Sequence, residues 1–214
     1  MTTILSIEGN IGSGKSTIID YLKNHQMNDD IIFLPEPVDE WNKIKDENNT
    51  TILAKFYEDQ KKYSFAFQMM AYISRLDMLR KAIKENPGKI IITERSLYTD
   101  KYVFAQMLFD DKKMESIEYQ IYNQWFHSFS DLAPLHKVIY LRTDPTISFK
   151  RIIKRKREGE QMIPFEYIQN CHKYHEKMYG IIDCDKTIID CTYDFHENHN
   201  YFTDMTDKIF SFLQ

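Results

Sequence analysis

Gly9-Asn10-Ile11-Gly12-Ser13-Gly14-Lys15-Ser16, continued by Thr17, is the stretch on which the reading of this chain turns. It matches G-x-x-x-x-G-K-[ST], a loop that wraps a polyphosphate in backbone N–H groups. Glycines let the backbone approach the ligand and adopt angles that other residues avoid. The helix that follows adds its N-terminal N–H groups and the positive end of its dipole. Lys15 is expected to reach the β- and γ-phosphates of ATP, and the Ser16 hydroxyl to ligate Mg²⁺. Such a loop needs a strand before it and a helix after it. Ile4–Ile7 is a short apolar run and Lys15–His25 is patterned as a helix, so both are in place.

Four further apolar runs lie outward from the loop: Ile31–Leu34, Ile90–Thr93, Val138–Leu141 and Thr187–Ile189. All are too short for helices. Continuous runs, rather than alternation, suit a parallel sheet covered on both faces. Helical patterns fill the intervals. Phe65–Lys84 sets Phe65, Gln68, Met69, Tyr72, Leu76 and Leu79 at helical spacing, and Leu97–Phe109 and Ile117–Phe129 follow. Pro145 opens Thr146–Arg157, Pro164 opens Phe165–Tyr179, and Thr203–Leu213 closes the chain. The alternation predicts an α/β fold of the P-loop kinase type, a five-stranded parallel sheet with helices on both faces. Asn48–Thr51 reads as a loop too short to divide domains, so 1–214 is expected to be a single domain.

Composition narrows the classes. The 214 residues suit one substantial core, and 43% hydrophobic with 28% charged is ordinary for a globular protein. A net charge of -4 argues against a nucleic-acid partner. No run approaches the ~18 apolar residues of a membrane span. No targeting segment is read upstream of Ile4, and the sparse, odd set Cys171, Cys184 and Cys191 suits a reducing compartment. A cytoplasmic location is therefore expected. Cys171, His172 and His175 lie close in sequence, but no second ligand pair stands at zinc spacing. The 14 Tyr and 14 Phe fill a core or line a pocket for a flat substrate.

A phosphate loop does not say where the γ-phosphate goes. Guanine-reading switches need N-K-x-D, and the nearest stretch, Asn42-Lys43-Ile44-Lys45, has Lys in place of Asp. Motor and transport ATPases usually carry an apolar strand that ends in Asp, whereas Ile90–Thr93 runs into Glu94-Arg95-Ser96. Glu94 and Glu36, the latter within Pro35-Glu36-Pro37-Val38, both follow predicted strands. Ligands of open α/β sheets bind beyond such ends. A carboxylate there can take the proton of an attacking hydroxyl, and it needs little basicity because that proton leaves late. Arg151-Ile152-Ile153-Lys154-Arg155-Lys156-Arg157 puts Arg151 and Arg155 on one helix face, suited to close over phosphates. Glu158-Gly159-Glu160 after it reads as a turn and hinge, so a lid is expected at about 151–162.

Together these stretches resemble the eukaryotic-type deoxynucleoside kinase family, which includes deoxycytidine, deoxyguanosine, mitochondrial thymidine and insect multisubstrate kinases. The resemblance runs in order through the loop at 9–16, Glu36-Pro37-Val38 with Trp41, Tyr57, Phe65-Ala66-Phe67-Gln68, Glu94-Arg95-Ser96, Tyr140-Leu141 with Pro145, and Glu160-Gln161-Met162-Ile163-Pro164. It implies ATP-dependent phosphorylation of a deoxynucleoside 5′-hydroxyl with Mg²⁺. Glu36 would be the general base and Arg95 its partner; Glu94 would help to hold Mg²⁺. Gln68 would read the base edge between Trp41 and Phe104. Tyr57 and Glu160 would hold the sugar, and Arg151, Arg155 and Arg157 would form the lid. The resemblance also implies a homodimer through central helices. Arg75 and Asp100 match an Arg–Asp pair near the base in deoxycytidine and deoxyguanosine kinases, which favours those substrates over thymidine. Three alternatives stay open at this point. They are a deoxynucleoside monophosphate kinase using Lys101, a P-loop regulatory module without transfer chemistry, and a nucleic-acid-binding ATPase resting on the basic run.

Overall fold

The structure, a computed structural model, describes residues 2–25, 28–157, 160–192 and 199–213. Five strands form one parallel sheet: β1 Thr3–Gly9, β2 Ile31–Leu34, β3 Ile90–Glu94, β4 Lys137–Arg142 and β5 Asp185–Asp190. Their order is β2-β3-β1-β4-β5. The chain goes to one side of β1 for β2 and β3 and to the other for β4 and β5. A reversal of that kind opens a crevice beyond the carboxyl ends of the strands.

The apolar runs are continuous because neighbouring residues enter different layers. Leu5, Ile7, Ile92 and Ile139 pack with Ile18 and Leu22 of α1 (Lys15–His25) and with Met205 and Ile209 of α10 (His199–Leu213). On the opposite face, Ile4 and Ile91 pack with Tyr72 and Leu79 of α4 (Gln60–Glu85) and with Tyr122 of α7 (Ser116–Phe129). Val138 joins Ile168 and Met178 of α9 (Phe165–Ile181). Each fully buried aliphatic side chain contributes about 1.5–3 kcal/mol. Helices therefore cover both faces, as the runs implied.

The middle of the chain departs from the sequence reading in three places. Two short helices appear between β2 and α4: α2 Val38–Trp41 and α3 Ile52–Glu58. They are too short to show a helical period. Thr51, read as the end of a loop, is the N-cap of α3 and accepts from the Ala54 N–H at 3.2 Å. Asp59 likewise caps α4, which begins at Gln60 rather than Phe65. The stretch read as one helix from Leu97 is three joined pieces: α5 Leu97–Thr99, a π-helical turn Asp100–Ala105, and α6 Gln106–Asp110. Helix α8, Pro145–Arg155, starts on an Asp144 cap and stops at Lys156, whose φ is 50°. The proposed hinge residues Glu158 and Gly159 lie outside the described residues.

Candidate active site

A cavity of about 260 Å³ opens at the carboxyl ends of the strands. One side is built by the loop between β1 and α1. Ile11, Gly12, Gly14, Lys15, Ser16 and Thr17 line it. Gly9, Asn10 and Ser13 belong to the motif but shape the loop from behind. The Asn10 side chain accepts from the Ile11 N–H at 2.8 Å and donates to the Ile168 carbonyl at 2.9 Å, which ties the loop to α9. Gly12 has a φ of 77°, and a Cβ there would lie 2.4 Å from the Ser148 carbonyl oxygen of α8. Only glycine fits that approach.

Lys15 is buried and donates to the Asn10 carbonyl at 2.8 Å, with Glu94 at 4.0 Å. Burial and the nearby Arg95 lower its pKa to about 7, against the pull of Glu94 and Glu36. The Ser16 hydroxyl donates to Glu94 Oε1 at 3.1 Å. A hydroxyl and a carboxylate, 78 residues apart in sequence, thus face each other at the head of the loop.

On the other side stands Glu36. Arg95 Nη1 reaches both of its oxygens, at 2.6 and 2.7 Å, and Arg75 Nη2 reaches Oε1 at 2.9 Å. Burial pushes the Glu36 carboxyl up, but Arg95, Arg75 and Lys15 outweigh it and hold the pKa at about 2. Arg95 leaves β3 with a φ of 64° and lays its guanidinium 5.2 Å from the centre of the Phe104 ring. Its Nε–H is buried with no protein partner among the described residues.

Arg75 forms the expected pair with Asp100, but from behind the cavity wall. It is fully buried and does not line the cavity. Its three arms go to Asp100 at 2.9 Å, the Glu94 carbonyl at 2.7 Å and Glu36. All three partners, Asp100, Glu94 and Glu36, line the cavity. Arg151 is displaced from the expected lid. It lines no part of the cavity, and its guanidinium donates to the Ser13 carbonyl at 3.4 Å and the Cys191 carbonyl at 3.1 Å. A long side chain on a helix can brace the loop from behind as easily as cover it, and the charge pattern alone does not distinguish the two. Arg155 and Arg157 do line the cavity, with Glu160 between them.

Trp41, Tyr57, Gln68 and Phe104 also line it. The Trp41 indole donates to Ser74 Oγ at 2.8 Å, which fixes the ring on α4. Gln68 is buried, and its side-chain oxygen has no partner among the described residues. Burial and Glu160 both raise the pKa of Tyr57. The site also contains residues to which the sequence reading gave no role there: Val38, Leu53, Phe56, Phe67, Ala71 and Tyr167. Phe67 and Ala71 were legible as neighbours of Gln68 on one helix. Leu53 and Phe56 ride on the unforeseen α3, and Tyr167 comes from α9 by tertiary packing alone. Phe56 and Phe67 stack at 4.7 Å and make a flat wall.

A flat-walled cavity with an unpartnered amide, joined to a phosphate loop, is built for a nucleoside next to a triphosphate. The family model described as deoxynucleoside kinase matches residues 5–214. This chain belongs to the deoxynucleoside kinase family. A probable deoxycytidine kinase of Fowlpox virus is 35% identical over 176 residues, covering 81% of this chain and 70% of the viral protein. The deoxycytidine kinase of Homo sapiens is 34% identical over 192 residues, 80% of this chain and 73% of its own length. Mitochondrial thymidine kinase 2 of Homo sapiens is 30% identical over 178 residues, 82% of this chain and 63% of its own. The protein is therefore a phosphotransferase, a deoxynucleoside kinase that uses ATP. No helix among the described residues is long and apolar enough to cross a membrane.

Two of the alternatives weaken on geometry. Lys101, the cation a monophosphate acceptor would need, does not line the cavity. Its ammonium bonds His127 Nε2 at 3.0 Å and lies 4.2 Å from the centre of the Phe126 ring. In the basic run, Arg151 braces the phosphate loop and Arg155 is bound to Glu160, so two of its cations are turned inward.

Proposed function

We propose that this kinase transfers the ATP γ-phosphate to the 5′-hydroxyl of a deoxynucleoside, with deoxycytidine or a purine deoxynucleoside preferred to thymidine. The observation that carries the reaction is Glu36, a partly buried carboxylate that lines the cavity with Arg95, as do Lys15 and Ser16 of the phosphate loop. Glu36 orients the hydroxyl and accepts its proton. Its low pKa does not disqualify it, because in a loose phosphoryl-transfer transition state the proton moves late. Arg95 holds Glu36 and turns its unpartnered Nε–H to the transferring group. Lys15, Arg155 and Arg157 neutralise charge on the phosphates, a role that preorganised cations fill without rearrangement.

Ser16 and Glu94 fit Mg²⁺. Both offer hard oxygen donors, and their contact at 3.1 Å makes one locus at the phosphate loop. The ion would neutralise phosphate charge when bound.

Base preference turns on Asp100, which lines the cavity and accepts from Arg75 Nε at 2.9 Å; burial raises the pKa of its carboxyl, and the Arg75 guanidinium opposes that rise. A carboxylate accepts from an exocyclic amine, which cytosine, adenine and guanine carry. Thymine presents a carbonyl there, and two acceptors repel. Gln68 can donate and accept along the remaining edge, and the deoxycytidine kinases among the relatives support the same preference. Steady-state kinetics with all four deoxynucleosides tests it. A thymidine kcat/KM far above the other three overturns the preference.

The partner is a second copy of the chain, and the location is the cytoplasm. Ile117, Ile121 and Trp125 form an exposed apolar stripe along α7, and Ile73 is exposed on α4, which packs against it. Sedimentation equilibrium at micromolar protein should give twice the mass of one chain; a single-chain mass removes the homodimer.

A further inference from the structure

The central strand contains an anomaly. In Ile4-Leu5-Ser6-Ile7-Glu8-Gly9, Ser6 and Glu8 interrupt the apolar run, yet both are fully buried. They point to the same side as Ile4, toward the layer of α4 and α5. Burying a carboxyl group in such a layer is unfavourable unless it is paired or fully hydrogen-bonded. Glu8 makes no ion pair among the described residues. Instead three hydroxyls donate to it: Ser6 Oγ at 2.6 Å and Ser96 Oγ at 2.6 Å, both to Oε1, and Thr99 Oγ1 to Oε2. A group kept there at such a cost has work beyond packing.

Its position indicates that work. Glu8 is the last residue before the phosphate loop and stands where β3 ends beside β1. The ladder continues one step past β3, with the Arg95 N–H on the Ile7 carbonyl at 3.1 Å. From there the chain turns. Glu94 sends its side chain back to Ser16, while Arg95 sends its own to Glu36. Arg95 does so from a left-handed backbone, φ 64°, which a side chain with a Cβ resists. A strained residue persists only where its surroundings over-determine it. The residues just after the turn are Ser96, the cap of α5, and Thr99 in its only turn. Both are fastened to Glu8.

We propose that Glu8 is a positioning residue for phosphoryl transfer, a clasp that holds Ser96 and Thr99 against β1 and thereby fixes the Glu94–Arg95 turn relative to the phosphate loop. It touches neither substrate and lines no part of the cavity. Glu94 faces the phosphate side and Arg95 the acceptor side, so one clasp sets the distance between the two halves of the reaction. The proposal rests on the reading of Arg95 as a group that acts on Glu36 and the transferring phosphate.

The test compares Glu8→Leu, Glu8→Gln, Thr99→Val and Arg95→Ala with the parent kinase. The readouts are kcat, the KM for ATP and for the best deoxynucleoside, and a thermal melt to express activity per folded molecule. Glu8→Leu fills the space and removes the clasp. It should lower kcat about tenfold or more, since a small misplacement of reacting groups has effects of that size. Both KM values should stay within about threefold. Glu8→Gln keeps an acceptor oxygen for Ser6 and Ser96 and can donate to the Thr99 hydroxyl. It should recover roughly half or more of the parent kcat. Thr99→Val, which removes one arm without changing shape, should fall between them and covers the case in which Glu8→Leu does not fold. Parent-like kcat in Glu8→Leu or, failing that, in Thr99→Val overturns the clasp. So does a loss that appears in the ATP KM alone, which would make Glu8 a support of the phosphate loop. If Arg95→Ala keeps the parent kcat, the reading of Arg95 fails and the clasp with it. If Arg95→Ala loses kcat and the Glu8 variants do not, the clasp alone is wrong.

Discussion

Arg155 grips Glu160 with two parallel hydrogen bonds, Nε to Oε2 at 2.7 Å and Nη2 to Oε1 at 2.5 Å, and both residues line the cavity. A cation suited to the phosphates is thus oriented by a carboxylate whose neighbour is Tyr57, on the acceptor side. A charge-assisted pair of this kind is worth about 1.5–3 kcal/mol. Glu160→Ala should therefore raise the KM for ATP about tenfold as well as the KM for the deoxynucleoside. A matrix of initial rates over both substrates measures this. An unchanged ATP KM would show that Arg155 keeps its place without Glu160.

Glu36 is held at a pKa of about 2 by Arg95, Arg75 and Lys15 against the effect of burial. The carboxyl is therefore ionised at every pH where the enzyme is assayed. The kcat profile should have no acid limb from Glu36 between pH 5 and 7. Glu36→Gln should lower kcat by about 10²–10⁴ and leave ATP affinity near the parent value. An acid limb that disappears in Glu36→Gln would contradict this ionisation state.

Lys15 has the opposite problem. Burial and Arg95 bring its pKa to about 7, so above pH 7 the free enzyme carries it mostly neutral. A bound triphosphate favours the ammonium and raises that pKa. Binding then takes up a proton at pH 8, where the free lysine lacks one, and takes up less at pH 6, where it already has one. Titration calorimetry at pH 8 in buffers of different ionisation enthalpy should show this uptake, and Lys15→Arg should abolish it. Equal uptake in both proteins would assign the proton to another group.

Gly12 joins a φ of 77° to a carbonyl oxygen 2.4 Å from where a Cβ would stand. The left-handed backbone alone costs about 1–2 kcal/mol with a side chain, and Ser148 O belongs to a helix that cannot easily yield. Gly12→Ala should weaken ATP binding tenfold or more, read as a fluorescence or calorimetric Kd. An affinity within twofold of the parent would mean that the loop can move away from α8.

Local features of the chain made much of this protein legible. The five apolar runs gave the strands because burial on both faces demands continuous hydrophobicity. The glycine-lysine loop announced itself because few other sequences can cradle phosphates. Glu36 and Glu94 were visible as acids just past strand ends, and Gln68, Tyr57 and Phe104 through the resemblance. Short helices were missed where four or seven residues carry no period, and with α3 went Leu53 and Phe56.

What the sequence determined by itself was therefore the inventory: the strands, the phosphate loop and the acids that follow strand ends. The tertiary structure decided direction and partnership. It set β1 between β3 and β4, which brings Glu94 to Ser16 across 78 residues. It turned Arg151 to the back of the loop and buried Arg75 beneath Glu36 and Asp100. It also wrapped Glu8 in hydroxyls from a later segment. The reason is the range of the forces that a local pattern records. Hydrophobic period and backbone preference act over a few residues. A long guanidinium or a buried carboxylate instead finds its partners among groups that approach only after the sheet and its covering helices have packed.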